Sequence, residues 1–205
     1  QYPTPGVRLD QWDYDSLKKL ALRWGTYYRL DRMGQLHPQG ASDSDQGVTP
    51  AAALESQAVG ASHGLVFIDT VDGQRPQADN LGTLLLDTDY VEGLLVVQGH
   101  VVLRPRASGK SVPALSPSPP GAQSLGTRVP VQLSGIHFNG LLYAVGAIRI
   151  ERSARLYGAV MAGQSVTTIG TGDVIEIWYN ADLAQGLFRG LPVVYRAPGT
   201  WMAKY

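Results

Sequence analysis

Four aspartates are the residues of this sequence whose type and spacing most resemble catalytic or metal-binding groups. Asp69 and Asp72 follow one short apolar run, and Asp87 and Asp89 follow another. Paired carboxylates at strand ends are typical of glycoside-cleaving enzymes and of calcium sites. An aspartate after a short strand is, however, more often a turn former that bonds to its own backbone. We therefore predict no catalytic residue, no metal site and no cofactor.

Six basic residues beside two similar phrases form a candidate DNA-binding site. The phrases are GLLVVQGHVVL (93–103) and GLLYAVGAIRI (140–150). The basic residues are Arg104, Arg106, Lys110, Arg149, Arg152 and Arg155. If the two phrases stack, both basic groups lie close together and could bind the phosphates of double-stranded DNA with strong salt dependence. Solvent-exposed arginines at the corners of the fold, with no ligand, explain the same pattern. The acidic Glu151 lowers the positive charge of the group.

Other residue types that mark active sites show no pattern. The four histidines, His37, His63, His100 and His137, lack the spacings of metal ligands. The sequence has no cysteine, which excludes disulfides and thiolate catalysis, and it contains neither a nucleophile elbow nor a phosphate-binding glycine loop. Equal numbers of basic and acidic residues, 17 of each, provide no overall field that would attract DNA or an anionic membrane.

The elements that must position these residues are mostly strands. A chain of 205 residues with 44% hydrophobic content is long enough to bury a core. Its 24 glycines and 13 prolines, with few helical patterns, favour a β-rich fold with many corners. One helix is predicted over 13–24, with Asp13 or Asp15 as its cap and Gly25 at its end. Its apolar face is formed by Leu17, Leu20, Ala21 and Trp24.

Repeated glycines indicate how the strands are arranged. Gly64 and Gly82 are 18 residues apart, as are Gly140 and Gly158, and a short apolar strand follows each glycine. A period of this length, with small residues at corners, is what a parallel β-solenoid requires. In that fold the segments near residues 95, 142 and 160 share one interior. Antiparallel hairpins in a β-sandwich are the alternative.

A proline-rich stretch interrupts the repeat. Pro113, Pro117, Pro119 and Pro120 lie among Ser, Gly and Ala, a composition that buries little apolar surface. We therefore predict a mainly β protein: a short parallel β-solenoid over 61–205 with a long Pro/Ser-rich loop insertion over 104–132. Residues 1–60 are predicted to form the single helix and a strand and loop segment, which caps the solenoid or is a pilin-like remnant.

Four phrases in order carry a resemblance to a known family. They are Gly93-Leu94-Leu95-Val96-Val97-Gln98-Gly99, Phe138-Asn139-Gly140-Leu141-Leu142-Tyr143, Gly158-Ala159-Val160-Met161-Ala162-Gly163 and Ile177-Trp178-Tyr179-Asn180. Together they resemble the C-terminal β-repeat region of PilX-like type IV pilus assembly proteins, the large pilin-like proteins of the Thermus–Deinococcus type. The resemblance covers residues 81–183, about half of the chain. The hydrophobic N-terminal helix with which that family usually begins is not present here.

The resemblance implies a non-enzymatic structural or interaction subunit. Its setting would be a type IV pilus or its assembly complex in the cell envelope, at the periplasmic face or in the extracellular pilus, with anchoring to the inner membrane before assembly. Expected partners are other pilins or assembly proteins, with double-stranded DNA as a further candidate if the protein serves DNA uptake in natural competence, or a surface if it serves adhesion. The membrane would be contacted only through an N-terminal helix absent from this chain. Two alternatives are a carbohydrate-binding or carbohydrate-active β-solenoid and a bactofilin-like polymer-forming protein.

Overall fold

The computed structural model describes residues 14–42, 45–106, 108–115 and 130–180. The helices within these ranges are α1 (Tyr14–Trp24) and α2 (Pro50–Leu54). The strands are β1 (Thr26–Leu30), β2 (Leu36–Pro38), β3 (Leu65–Asp69), β4 (Thr83–Leu86), β5 (Val91–Val97), β6 (His100–Leu103), β7 (Lys110–Leu115), β8 (Pro130–Ile136), β9 (Phe138–Ala144), β10 (Ile148–Ile150), β11 (Ala154–Ala162), β12 (Val166–Thr168) and β13 (Ile175–Tyr179). The predicted mainly β class is confirmed.

Two parallel sheets form the body of the fold, and the chain alternates between them. The large sheet has the order β13-β11-β9-β5-β3-β1-β2, and the small sheet has the order β12-β10-β6-β4. From β3 onward each strand of the large sheet is followed by one of the small sheet, with the hairpin β7–β8 inserted after β6. All neighbours within the two sheets are parallel except β1 and β2. The antiparallel-hairpin alternative is therefore wrong for these strands.

The core lies between the two sheets and is made of columns of aligned side chains. In the large sheet Leu95 is in register with Leu142, which is in register with Val160. In the small sheet Leu84, Val101 and Ile148 are aligned in the same way. All six belong to one apolar cluster, in which Val160 is only partly buried. The prediction that the segments near 95, 142 and 160 share an interior is confirmed.

Glycines allow the backbones of neighbouring strands to approach closely. Gly93, Gly140 and Gly158 are aligned in adjacent strands and have φ values of +146°, +141° and +154°. A Cβ atom on Gly158 would overlap the carbonyl group of Gly140, and one on Gly93 would lie 2.9 Å from the carbonyl oxygen of Gly64. Gly140 and Gly158, which are 18 residues apart, thus occupy equivalent positions in adjacent strands. Gly64 and Gly82 do not, because Gly64 precedes β3 of the large sheet while Gly82 precedes β4 of the small one.

Helix α1 packs on the outer face of the large sheet. It ends where predicted, at Gly25, whose N–H donates to the carbonyl oxygen of Ala21. Its side chains join Leu65 and Phe67 in a second apolar cluster, in which Tyr14 and Ala21 are buried. Trp24, predicted to lie on the apolar face, is 71% exposed, because the contact lies near the start and middle of the helix. Of the two predicted cap residues, Asp15 lies within the first turn of the helix, and Asp13 lies outside the described residues.

Two further predictions need correction. A single helix was expected, but Pro50–Leu54 forms a second, short one, with the Thr49 side chain accepting from the N–H of Ala52 and Pro50 at its start. The insertion was expected to be a loop, but its ends form the antiparallel pair β7–β8. Val112, Ala114 and Ile136 of this hairpin form an apolar cluster with Tyr157 of β11 and with Tyr90, which immediately precedes β5. The prolines at 117, 119 and 120 lie outside the described residues.

The glycine column generates a stability prediction. We expect Gly158→Ala to lower the free energy of unfolding by about 3 kcal/mol, because the added methyl group must displace the neighbouring backbone. Gly60→Ala is the matched control, since Gly60 also has a positive φ of +88° but has no atom within 4 Å of the added methyl position. It should cost only about 1 kcal/mol. Urea unfolding followed by circular dichroism measures both, and equal losses would contradict the role of close backbone approach.

Candidate functional site

Three of the four aspartates considered as catalytic or calcium-binding groups, Asp69, Asp72 and Asp87, have separate partners. Asp72 accepts from the Thr70 hydroxyl and from the backbone N–H of Gln74. Asp87 forms ion pairs with Arg104 at 3.3 Å and Arg106 at 3.1 Å. Within the described ranges no three His, Asp or Glu side chains converge as metal ligands would. These carboxylates therefore act in turns and ion pairs of this structure.

Asp69 is the exception, because it is fully buried at the end of β3 and anchors helix α1. Tyr14 donates to it at 2.8 Å and Tyr27 at 2.8 Å, and the Lys18 ammonium lies 2.6 Å from its Oδ2. The Lys18 ammonium also donates to the carbonyl oxygen of Gly73 at 2.7 Å. Burial, and after it the Asp69 carboxylate, raises the pKa of both tyrosines well above the ordinary value. Both hydroxyls consequently remain donors at physiological pH.

A second buried polar group lies under the hairpin β7–β8. Tyr90 donates to the Glu92 carboxylate, which also accepts from the N–H of Gly60 at 2.9 Å. Asn139, in register with Glu92, donates to the Tyr90 hydroxyl at 3.2 Å. Burial, reinforced by the hydrogen bond to Glu92, raises the pKa of Tyr90 above its ordinary value. The Lys110 ammonium lies 5.5 Å from the centre of the Tyr90 ring, so this group joins the hairpin to the sheet.

The six predicted DNA-binding residues lie in or just after strands β6, β7, β10 and β11. Most of them already contact acidic groups or backbone oxygens. Arg104 pairs with Asp87 and Glu151, Arg106 with Asp87 and Glu55, and Arg155 with Glu176. Lys110 donates to backbone oxygens of Ser56 and Gln57, and Arg152 donates to that of Pro105. Arg149 lies on the outer face of the small sheet. DNA binding by this set stays a prediction, with a local field that these carboxylates reduce.

Two cavities among the described residues lie along the small sheet and the loops beside it. One, of about 740 Å³, is lined by both acidic and basic groups, among them Asp79, Asp87, Arg32 and Arg106. The other, of about 320 Å³, is lined by Thr83, His100, Ala147, Arg149, Ser165 and Thr167, which include no carboxylate. The second cavity therefore has a uniformly neutral or positive lining.

The strands at one end of both sheets expose apolar side chains. We call the edges of β12 and β13 the open end. Val166 continues the core column of Ile148, and Ile177 continues the column of Leu156, yet they are 44% and 48% exposed. Trp178 and Tyr179 are 46% and 66% exposed. Among the described residues no strand pairs with the outer edge of β12 or β13.

Sequence reasoning missed the partners of Asp69 and the lining of the smaller cavity. Tyr14 and Tyr27 are distant from Asp69 in sequence, so no local spacing relates them to it. The cavity residues had a partial signal, because His100 and Arg149 are polar and alternate with the inward-facing apolar residues Val101 and Ile148. That period of two places both side chains on the outer face.

No family model, curated protein or solved structure matches this chain. Neither helix in the described part of the chain combines the length and the apolarity that a membrane crossing needs.

The Asp69 contacts generate a stability prediction. We expect Asp69→Asn to lower the free energy of unfolding by about 3 kcal/mol, because it leaves the Lys18 charge without its partner next to the sheet. Asp79→Asn is the control, since Asp79 is exposed and makes no hydrogen bond or ion pair in the part of the chain that the structure describes. Urea unfolding of both variants tests the difference, and an equally small loss would show that Asp69 does not anchor the helix.

Asp31 in the β1–β2 turn generates a pH prediction. Partial burial would raise the pKa of its carboxyl, but hydrogen bonds from His37 and from the N–H groups of Gln35 and Met33 outweigh burial and lower the pKa. A lowered folded-state pKa stabilises the protein above the ordinary pKa, and this contribution disappears as the pH falls through the lowered value. Asp31→Asn should therefore be less stable at neutral pH.

The stability of Asp31→Asn should also decline less steeply than that of the parent between about pH 5 and pH 2. Urea unfolding across this range measures the two slopes. An NMR titration of the Asp31 carboxyl provides the independent check, and a pKa at or above the ordinary value would contradict the prediction.

Proposed function

We propose that this protein is a non-enzymatic interaction subunit built on a short parallel β-solenoid, and that its open end joins it to another subunit. The support for the solenoid is the alternation of the chain between two parallel sheets, with columns of side chains shared by successive strands. The open end is the observation that carries the proposed activity.

The open end combines two features that favour a protein partner. The last members of the core columns, Val166 and Ile177, are half exposed, so covering them removes apolar surface from water. The edges of β12 and β13 offer backbone N–H and C=O groups to a further strand. A partner strand beside β13 would bury the apolar side chains and pair the backbone in one step.

We infer that the partner is a second copy of the chain. At the opposite end of the large sheet the antiparallel strand β2 covers the edge of β1, so that end offers no comparable parallel edge in this sheet. Two copies related by a two-fold axis can instead place their open ends against each other, because one self-complementary surface satisfies both. The acidic and basic groups elsewhere, such as Asp87 and Arg104, are already paired and leave the open end as the favoured contact.

The resemblance to PilX-like pilin-like proteins supports a setting for this subunit in a type IV pilus or its assembly complex, in the cell envelope. Within that setting the rigid stacked strands would display surface loops to other pilins, and no reaction is required. DNA uptake or adhesion remains the process that such a subunit would serve.

Self-association provides the test. Sedimentation velocity at increasing protein concentration should reveal a dimer, and Ile177→Lys should shift the protein to monomer, because a charge replaces a half-exposed apolar side chain at the centre of the contact. Gln132→Lys, an exposed position on β8, is the matched control and should dimerise like the parent. Circular dichroism checks that both variants fold. A parent chain that stays monomeric at every concentration would contradict the proposal.

A further inference from the structure

The outer face of the small sheet carries a histidine, an arginine and three side chains with hydroxyl groups. Because Leu84, Val101 and Ile148 point into the core, their strand neighbours point outward, and Val166 of β12 is in register with Ile148. Register aligns these outward residues in two rows. The first row is Thr83, His100, Ala147 and Ser165, and the second is Leu85, Val102, Arg149 and Thr167.

Ala147 creates the space for a ligand in the first row. Backbone hydrogen bonds from Val101 to Ala147 and from Ile148 to Ser165 place Ala147 between His100 and Ser165, whose side chains are longer than its methyl group. Neighbouring strands are about 4.8 Å apart. The resulting cavity of about 320 Å³ also contacts Arg149, Thr167 and Thr83. This volume suits a single small group, and the lining has no aromatic side chain and no carboxylate.

The orientation of His100 is set by the backbone of the next strand. The N–H of Ala147 donates to Nδ1 of His100 at 3.0 Å. Nδ1 is therefore an acceptor, and the neutral ring carries its proton on Nε2. A Cβ atom on Gly146 would lie 2.5 Å from His100 Nδ1, so the glycine gives the ring room to take this position.

Arg149 supplies the positive charge in the lining of the cavity. Its guanidinium is exposed and, among the described residues, makes no hydrogen bond or ion pair. Glu151, two positions further along, is 3.7 Å from Arg104 and does not line the cavity. Arg149 thus differs from Arg104, Arg106 and Arg155, whose charges are paired.

From these groups we propose that the cavity binds one oxyanion, of the size and chemistry of a phosphate group. The His100 Nε2–H, the Arg149 guanidinium and the hydroxyls of Ser165 and Thr167 are all able to donate, and an oxyanion accepts hydrogen bonds at every oxygen. A cation finds no carboxylate there, and a sugar ring finds no aromatic platform. The phosphate group can be free or belong to a small phosphomonoester. This inference does not rest on the proposed self-association.

The test is an NMR titration of the full chain with inorganic phosphate, at ionic strength held constant with sodium chloride. The amides of Ala147 and Thr167 and the Arg149 Nε–H should shift and saturate in the millimolar range. Arg149→Gln should raise the dissociation constant about tenfold or more, because a charge-assisted hydrogen bond is lost. Arg152→Gln, which removes an equal charge outside the cavity, should bind like the parent.

Ala147→Leu provides a second variant that keeps every charge and donor. It fills the cavity from a partly exposed position and should abolish saturable binding while the fold is retained. A parallel titration with glycerol phosphate distinguishes the two sources: equal or tighter binding indicates a phosphomonoester, and weaker binding indicates free phosphate. Shifts that never saturate, that chloride reproduces, or that persist in both Arg149→Gln and Ala147→Leu would overturn the proposal.

Discussion

Close backbone contact between neighbouring parallel strands is the constraint from which the remaining structure follows. At Gly93, Gly140 and Gly158 the strand adopts a positive φ, and at Gly93 and Gly158 the next backbone occupies the space that a Cβ atom would take. These aligned glycines define the register of three central strands. A slip of one residue would turn every inward side chain outward, so the columns between the sheets depend on this alignment. The defined register keeps apolar side chains on the inner face of the large sheet and leaves its outer face to contact helix α1 and the hairpin β7–β8.

Helix α1 and the hairpin β7–β8 cover parts of the outer face of the large sheet, and buried polar contacts hold both elements in place. Asp69 holds helix α1 through Tyr14, Tyr27 and Lys18 over one part of the large sheet. The Tyr90 and Glu92 pair joins the hairpin β7–β8 to another part. Tyr14 and Lys18 of the covering helix contact the Asp69 carboxylate directly, whereas Lys110 of the hairpin lies over the Tyr90 ring and donates to the backbone oxygens of Ser56 and Gln57. These polar contacts give each covering element a defined position in addition to its apolar contact.

In the described part of the chain no helix or hairpin covers the small sheet, and its outer face carries polar side chains beside the apolar Leu85 and Val102. His100 and Arg149 stand where the large sheet has Phe67 or Tyr143 on its outer face. The open end differs again, because its side chains are apolar although half exposed. One scaffold thus offers a polar face suited to a small ligand and an apolar end suited to a protein. The two surfaces meet at β12, but Ile177 belongs only to the open end and Arg149 only to the cavity, so binding at each can be tested separately.

The sequence by itself determined the mainly β class, the positions of most strands, the helix ending at Gly25 and the sharing of one interior by Leu95, Leu142 and Val160. These follow from local alternation and glycine placement, which are visible along the chain. It did not determine which glycines are equivalent, since Gly64 and Gly82 have the same spacing as Gly140 and Gly158 but belong to different sheets. Strand order is a property of distant pairing, which local patterns do not encode.

Only the tertiary structure decided what the polar residues do. The partners of Asp69 come from a helix and a strand far away in sequence, and the charges of Arg104 and Arg155 are neutralised by carboxylates on neighbouring strands. Arg149 was grouped with them in sequence but lies on a separate face beside His100. A side chain's electrostatic role depends on groups within a few ångströms, and in a parallel sheet those groups come from other strands.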